Sequence, residues 1–168
     1  MSVEVTELQV PANDGIPNNG TLPALICAAA LTGGEKAAYR MMRDAGWGGC
    51  WTWTVFDYHH YHPASHEALI CVAGWARIHL GGPDGPIVGV SAGDAMILPA
   101  GFGHKRVASG DGFAVVGGYP RGQEAPAILR ADGPVSDRVL AQIAATPLPE
   151  TDPIFGVDGP LIEAWSIH

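Results

Sequence analysis

The sequence predicts an all-β fold, a small barrel or sandwich of short strands with one or two short helices at its periphery. Three observations carry this. Gly and Pro are abundant, 23 and 14 of 168 residues, a share that suits many tight turns and stays below low complexity. Short runs rich in aromatic and β-branched residues recur between residues 48 and 119, which favours strands. Turn sequences separate those runs: Gly81-Gly82-Pro83-Asp84-Gly85, Ala92-Gly93-Asp94, Pro99-Ala100-Gly101 and Ser109-Gly110-Asp111-Gly112.

In chain order, the first twenty residues are turn-rich, with Pro11, Asn13, Gly15, Pro17 and the Asn18-Asn19-Gly20 run. Leu22 to Ala28 has the composition of a buried strand, although a short helix would look similar. Ala37, Ala38, Met41, Met42 and Ala45 fall at helical spacing and predict a short amphipathic helix ending near Gly46. Trp51 to His62 is expected as one strand. Ala68–Val72, Trp75–Leu80, Ile87–Val90, Ala95–Leu98, His104–Ala108 and Phe113–Gly117 follow as further strands. Ser136 is a good N-cap for a second helix through Val139, Leu140 and Ile143. The tail after Pro147 looks loop-like and ends in an apolar piece, Leu161, Ile162 and Trp165, expected to pack back on the barrel.

Length and hydrophobic content, 168 residues and 47%, fit one domain with a real core, residues 1–168, whose barrel occupies about 48–119. The net charge of −8 repels a phosphate backbone and argues against nucleic-acid binding. Cys27, Cys50 and Cys71 are odd in number and lack paired spacing, so they are expected as free thiols in a reducing cytoplasm. The start MSVEVTELQV has no basic stretch followed by an apolar core, so no signal peptide is expected. The most apolar stretch, Leu22 to Leu31, is too short to span a bilayer.

The chemistry concentrates in one cluster. His60, His62 and Glu67 have the spacing H-x-H-x4-E. Residues two apart on a strand share a face, so His60 and His62 can aim two imidazoles at one point. Pro63-Ala64-Ser65-His66 can turn the chain so that Glu67 opens the next strand toward that point. Gly93 to His104 has the form G-x5-P-x-G-x2-H, in which Pro99 and Gly101 make a sharp turn and deliver His104. Neutral imidazoles with a carboxylate suit one divalent metal ion such as Fe, Mn, Ni, Zn or Co. The plain alternative is a set of histidines that only hydrogen-bond inside the barrel. A buried Glu67 with no partner would be costly, which favours the metal.

These two segments, His60 through Gly74 and Gly93 through His104, resemble the signatures of the cupin superfamily, in order and with 18 residues between them. Two positions depart from the pattern. Thr54 stands where a glycine is frequent, and Ala108 where an asparagine is frequent; neither supplies a metal ligand in the family. A closer resemblance covers nearly the whole chain. Pro17-Asn18-Asn19, Leu22-Pro23, His59-His60-Tyr61-His62, Gly118-Tyr119-Pro120, Asp152-Pro153, Phe155-Gly156 and Gly159-Pro160-Leu161 look like the small bacterial YjlB-type cupins. The resemblance implies a double-stranded β-helix, the cupin jelly-roll barrel, with His60, His62, Glu67 and His104 as metal ligands. It leaves the reaction open.

Other polar residues carry weaker expectations. Strict strand alternation turns His59 away from His60, and only a bulge would bring it in. His66 is expected behind Glu67 or facing solvent, His79 is structural, and His168 is uninformative. Thr52, Thr54, Phe56 and Tyr58 share the face of His60, Leu69 and Cys71 that of Glu67, and Arg106 that of His104. Arg106 can pin an acidic substrate, and a salt bridge at the barrel mouth is equally consistent. Tyr58, His66 and Arg106 are the candidate catalytic side chains. Trp51, Trp53 and Trp75 are expected as core or interface aromatics.

The expected function is a metal-dependent enzyme on a small polar organic molecule, dioxygenase-like or isomerase/lyase-like. The alternative is a non-catalytic binding or sensing module in which the metal orients a ligand or is structural. A zinc hydrolase fits less well, because no H-E-x-x-H helix occurs. Exposed strand edges and the family resemblance imply a homodimer. No nucleic acid and no membrane are expected as partners.

Overall fold

The structure is a computed structural model that describes residues 3–167. Met1, Ser2 and His168 lie outside the described residues. Among the described residues, nine strands form one antiparallel sheet: β1 (Glu4–Leu8), β2 (Ala24–Ala28), β3 (Gly48–Trp53), β4 (His60–Tyr61), β5 (Glu67–Leu80), β6 (Ile87–Ser91), β7 (Ala95–Leu98), β8 (His104–Tyr119) and β9 (Leu129–Arg130). Three helices accompany them, α1 (Gly34–Asp44), α2 (Asp137–Ala145) and α3 (Pro160–Ala164). None of the described helices is long and apolar enough to cross a membrane.

Two long strands make the sheet curl. β5 and β8 pair from Ala68↔Gly118 to Leu80↔His104, with register shifts between Cys71 and Trp75. Before the shifts, β5 pairs with β7, and the facing half of β8 pairs with β3. After them, β5 pairs with β6, and the other half of β8 pairs with β4. The bend therefore divides the sheet into two layers, β1-β2-β7-β5-β8-β3 and β6-β5-β8-β4-β9, which close on one another as a double-stranded β-helix. Gly74 sits at the bend with φ 65°, and a Cβ there would lie 2.3 Å from the Gly110 carbonyl oxygen. The glycine that ends the first motif is thus where the sheet folds.

The first layer is buried on both faces. Leu69 and Cys71 point into the barrel with Met96, Leu98 and Val115. Ala68 and Ile70 point outward into a second cluster with Met42, Trp47, Leu161 and Trp165. α1 supplies Ala37, Ala38 and Met42 to that cluster. The tail is fastened by polar groups. The buried Asp152 carboxylate accepts the backbone N–H groups of Ile154, Phe155 and Leu161, and Trp165 Nε1–H donates to the Pro23 carbonyl at 2.8 Å. Leu161 and Trp165 are buried in the cluster on the outer face of the first layer.

Several elements differ from the sequence expectation. Trp51 to His62 is not one strand. β3 stops at Trp53 and the chain resumes only at β4, because β3 belongs to one layer and β4 to the other. Arg106 clamps the crossing: its Nε–H donates to the Val55 carbonyl at 3.0 Å, and its backbone N–H to the Phe56 carbonyl at 2.9 Å. The two segments expected on either side of Gly74 are one strand, β5, and those on either side of Gly110-Asp111-Gly112 are one strand, β8. Those glycines act as bulges, not turns. The turn-rich start contains β1, the sheet extends past 48–119 through β1, β2 and β9, and α3 lies in the tail expected as loop.

Replacing Gly74 with Ala is expected to lower unfolding stability by about 2–4 kcal/mol, from the left-handed backbone and the overlap with Gly110. Urea denaturation checks this, and an unchanged midpoint would contradict the role given to Gly74.

Candidate metal centre

His60 and His104 face each other as a directly paired position of β4 and β8. His62 follows β4, and Glu67 opens β5. The turn that delivers His104 is held from the N-terminal segment. Asn18 Nδ2–H donates to the Gly81 carbonyl and Asn18 Oδ1 accepts the Gly103 N–H. Asn19 Nδ2–H donates to the Ala100 carbonyl. Gly101 has φ 85°, and a Cβ there would lie 2.5 Å from the Asn18 carbonyl oxygen. The asparagines visible in the sequence as turn formers are therefore buried clamps on the second motif.

All four side chains are buried. Each imidazole is oriented by a backbone carbonyl: His60 Nδ1 lies 3.0 Å from Tyr58 O, His62 Nδ1 3.0 Å from Ala127 O, and His104 Nδ1 3.1 Å from Phe102 O. A carbonyl only accepts, so each Nδ1 carries the proton and each neutral ring turns a bare Nε2 lone pair inward. One ligand nitrogen from each ring lies within 4.8 Å of the others. The Glu67 carboxylate stands 3.3 Å from His62 Nε2 and 3.2 Å from His104 Nε2. Glu67 Oε1 is buried and has no hydrogen-bond partner among the described residues. Three imidazole lone pairs converge, with the Glu67 carboxylate beside those of His62 and His104, and they repel one another unless a proton or a cation lies between them. The donor set fits a divalent metal, with carbonyl-anchored imidazoles as such sites require.

Without an ion between them, burial and charge act on His62 and Glu67 in opposite directions. Burial pushes the His60 imidazole down to about 3, with His104 adding to the effect. Burial alone would lower His62, but the Glu67 carboxylate outweighs it and raises that ring. Burial alone would raise Glu67, but His62 and His104 hold its carboxyl below the usual range.

A cavity of about 180 Å³ opens onto this cluster. Trp51, Trp53, Val55, Phe56, Leu69 and Ile128 form its apolar wall, and Thr54 and Tyr119 add hydroxyls. Tyr119 Oη accepts the Trp51 Nε1–H at 2.8 Å. Burial, and next the neighbouring Glu67, push this phenol up. Strand alternation misses Trp51 and Trp53 as wall residues because the crossing after β3 breaks the alternation. It misses Tyr119 because the interior side of β8 changes from even positions at His104 to odd ones at Val115 and Tyr119.

The three candidate catalytic side chains do not line the cavity. Tyr58 stacks on Phe56 at 4.9 Å and lies under the Arg130 guanidinium at 3.5 Å. Arg106 holds the Val55 carbonyl and reaches Ser109. His66 is fully buried behind Glu67, where its Nδ1 accepts the Ala100 N–H at 2.9 Å and its ring packs on Trp165. Thr52 bonds to Glu35 and Tyr39 outside the cavity. His59 packs on His79 at 4.9 Å, away from His60. Cys27, Cys50 and Cys71 are free.

The metal-free protein is expected to lose stability as pH falls from about 6.5 toward 4. His60 and His66 are buried neutral, lowered from 6.5 to about 3 and about 4, so the unfolded chain binds more protons in this window. His62 is raised, so its contribution is constant there and falls only at higher pH. The loss amounts to several kcal/mol, since each pKa unit is worth about 1.4 kcal/mol. Urea midpoints between pH 7 and 4 measure it, and a flat profile would contradict it.

No family model matches the chain. The uncharacterized protein YjlB of Bacillus subtilis (strain 168) is 37% identical over 156 residues, covering 92% of this chain and 93% of that protein. Among solved structures, acireductone dioxygenase from Bacillus anthracis, with a cadmium ion in its active centre, is 18% identical with a TM-score of 0.39. That match covers 55% of this chain, which spans 62% of the dioxygenase. An uncharacterized conserved protein with a double-stranded β-helix domain from Klebsiella pneumoniae is 16% identical with a TM-score of 0.40, covering 78% of this chain and 80% of that one. With both motifs on one antiparallel barrel, and with YjlB matched across nearly its whole length, the chain belongs to the YjlB-type family of small cupins.

Proposed function

We propose that His60, His62, Glu67 and His104 hold one divalent first-row metal ion, and that the chain, as a single domain, is a metal-dependent enzyme acting on a small polar organic molecule, dioxygenase-like or isomerase/lyase-like. The observation that carries this is the anchoring of three buried imidazoles by carbonyls, so that three bare Nε2 atoms face an unpartnered carboxylate oxygen. When bound, such an ion supplies Lewis acidity with open coordination positions and, if it is iron, redox chemistry. The chain's own residues do the rest. Glu67 neutralises part of the positive charge, the aromatic wall excludes water, and the Tyr119 hydroxyl is placed to hydrogen-bond a bound molecule.

Elemental analysis of the purified protein is expected to give one equivalent of metal. His104→Ala should weaken binding by more than about 100-fold, beyond the effect of losing an outer partner of a ligand. Wild-type protein that stays metal-free after exposure to Fe, Mn, Ni, Zn and Co would refute the site.

The non-catalytic reading, a binding or sensing cupin, is supported by one observation: Tyr58, His66 and Arg106 lie off the cavity. Oxygen uptake and substrate turnover, screened with each metal, separate the two. Saturable binding without turnover for any metal selects the binding module.

A cytoplasmic homodimer completes the proposal. β1, β3, β6 and β9 each pair on one side only among the described residues, and free edges favour pairing. Light scattering is expected to give twice the chain mass, and a monomer mass removes the dimer.

A further inference from the structure

The cavity wall narrows what the metal centre can accept, and this step rests on the metal reading above. Size sets the first limit. A cavity of about 180 Å³ is little larger than the roughly 150 Å³ that encloses a benzene molecule. The part of the molecule held inside the wall is therefore one ring or its equivalent, plus the atoms that reach the ion.

Wall chemistry sets the second limit. Val55 and Leu69 are buried deep in the wall, while Trp53 and Ile128 are 58% and 46% exposed and mark the rim. The path from the cluster to solvent is therefore apolar at both ends. No Lys or Arg among the described residues lines it. Both nearby guanidiniums are committed elsewhere, Arg106 to the Val55 carbonyl and Arg130 to the Tyr58 ring. A second carboxylate on the bound molecule would meet hydrocarbon with no counter-charge, which is costly.

Charge balance sets the third limit. Three neutral imidazoles and one carboxylate leave a divalent ion with one net positive charge. One monoanion cancels it, and a dianion overshoots. Tyr119 adds one donor beside this point. Its oxygen accepts the Trp51 Nε1–H, and its O–H, which neighbours the Glu67 carboxylate, can turn to a ligand oxygen once that carboxylate is engaged by an ion.

We infer that the site takes a small chelating molecule with at most one negative charge, its oxygens at the metal and Tyr119, and an uncharged apolar body of ring size lying between Trp51, Phe56 and Ile128 toward the rim. Dicarboxylates and hydroxy-diacids are rejected.

Three hydroxamates with the same chelating head test this. Zinc-loaded full-length protein is titrated calorimetrically with acetohydroxamate, with benzohydroxamate, and with the monohydroxamate of succinic acid. Zinc is measured in the same samples. Benzohydroxamate is expected to bind at least about tenfold tighter than acetohydroxamate, from burial of its ring, and the carboxylate-bearing compound weaker than acetohydroxamate. With one equivalent of zinc retained, a benzohydroxamate advantage below tenfold, or a carboxylate-bearing compound that binds as well as acetohydroxamate, overturns the inference and leaves the metal site standing. Protein that holds no zinc overturns the metal reading itself and this inference with it.

Discussion

A buried carboxylate facing three imidazoles is the constraint around which the barrel is arranged. Glu67 is 3% exposed, and an isolated carboxylate at that depth would shift its pKa or destabilise the fold. The chain compensates at some distance along its length. His60 and His62 come from one side of the first turn and His104 from a turn some forty residues on. Each ring is fixed by a carbonyl of its own neighbourhood or, for His62, by Ala127. The outer supports are equally distributed: Asn18 and Asn19 reach the Pro99–Gly103 turn from near the N-terminus. A polar centre that draws on so many segments gives the two layers a single register.

How much of this was legible depends on which physics was local. The motif spacing is local, so His60, His62, Glu67 and His104 could be read as a group from the sequence. Gly101 was legible as a turn former, and it is one. Gly74 is a bend inside a continuous strand, because its neighbours across the sheet, Gly110 to Phe113, bulge with it. Ser136 capping α2, with Ser136 Oγ accepting the Val139 N–H, was readable from residue type alone.

The cavity wall was not legible, for one reason. Alternation along a strand holds only while the strand stays in one layer. The crossing after Trp53 brings Trp51 and Trp53 into the wall and takes Tyr58 out of it. The bulges in β8 bring Tyr119 in and leave Arg106 to clamp a backbone. His66 follows the same lesson from the polar side: next to Glu67 in sequence, it accepts the Ala100 N–H instead of facing the cavity. The role of Asn18 and Asn19 needed contacts more than sixty residues away.

β5 and β8 each run unbroken through both layers, paired to one another along most of their length. The layers are therefore not two plates that can part like a clam shell; opening one against the other would have to break the longest ladder in the sheet. Traffic to and from the interior must instead rely on the swing of a few side chains at the lip, Trp53 and Ile128 above all. The backbone cage is tied shut by that ladder, and the doorway is made of movable rings and methyl groups.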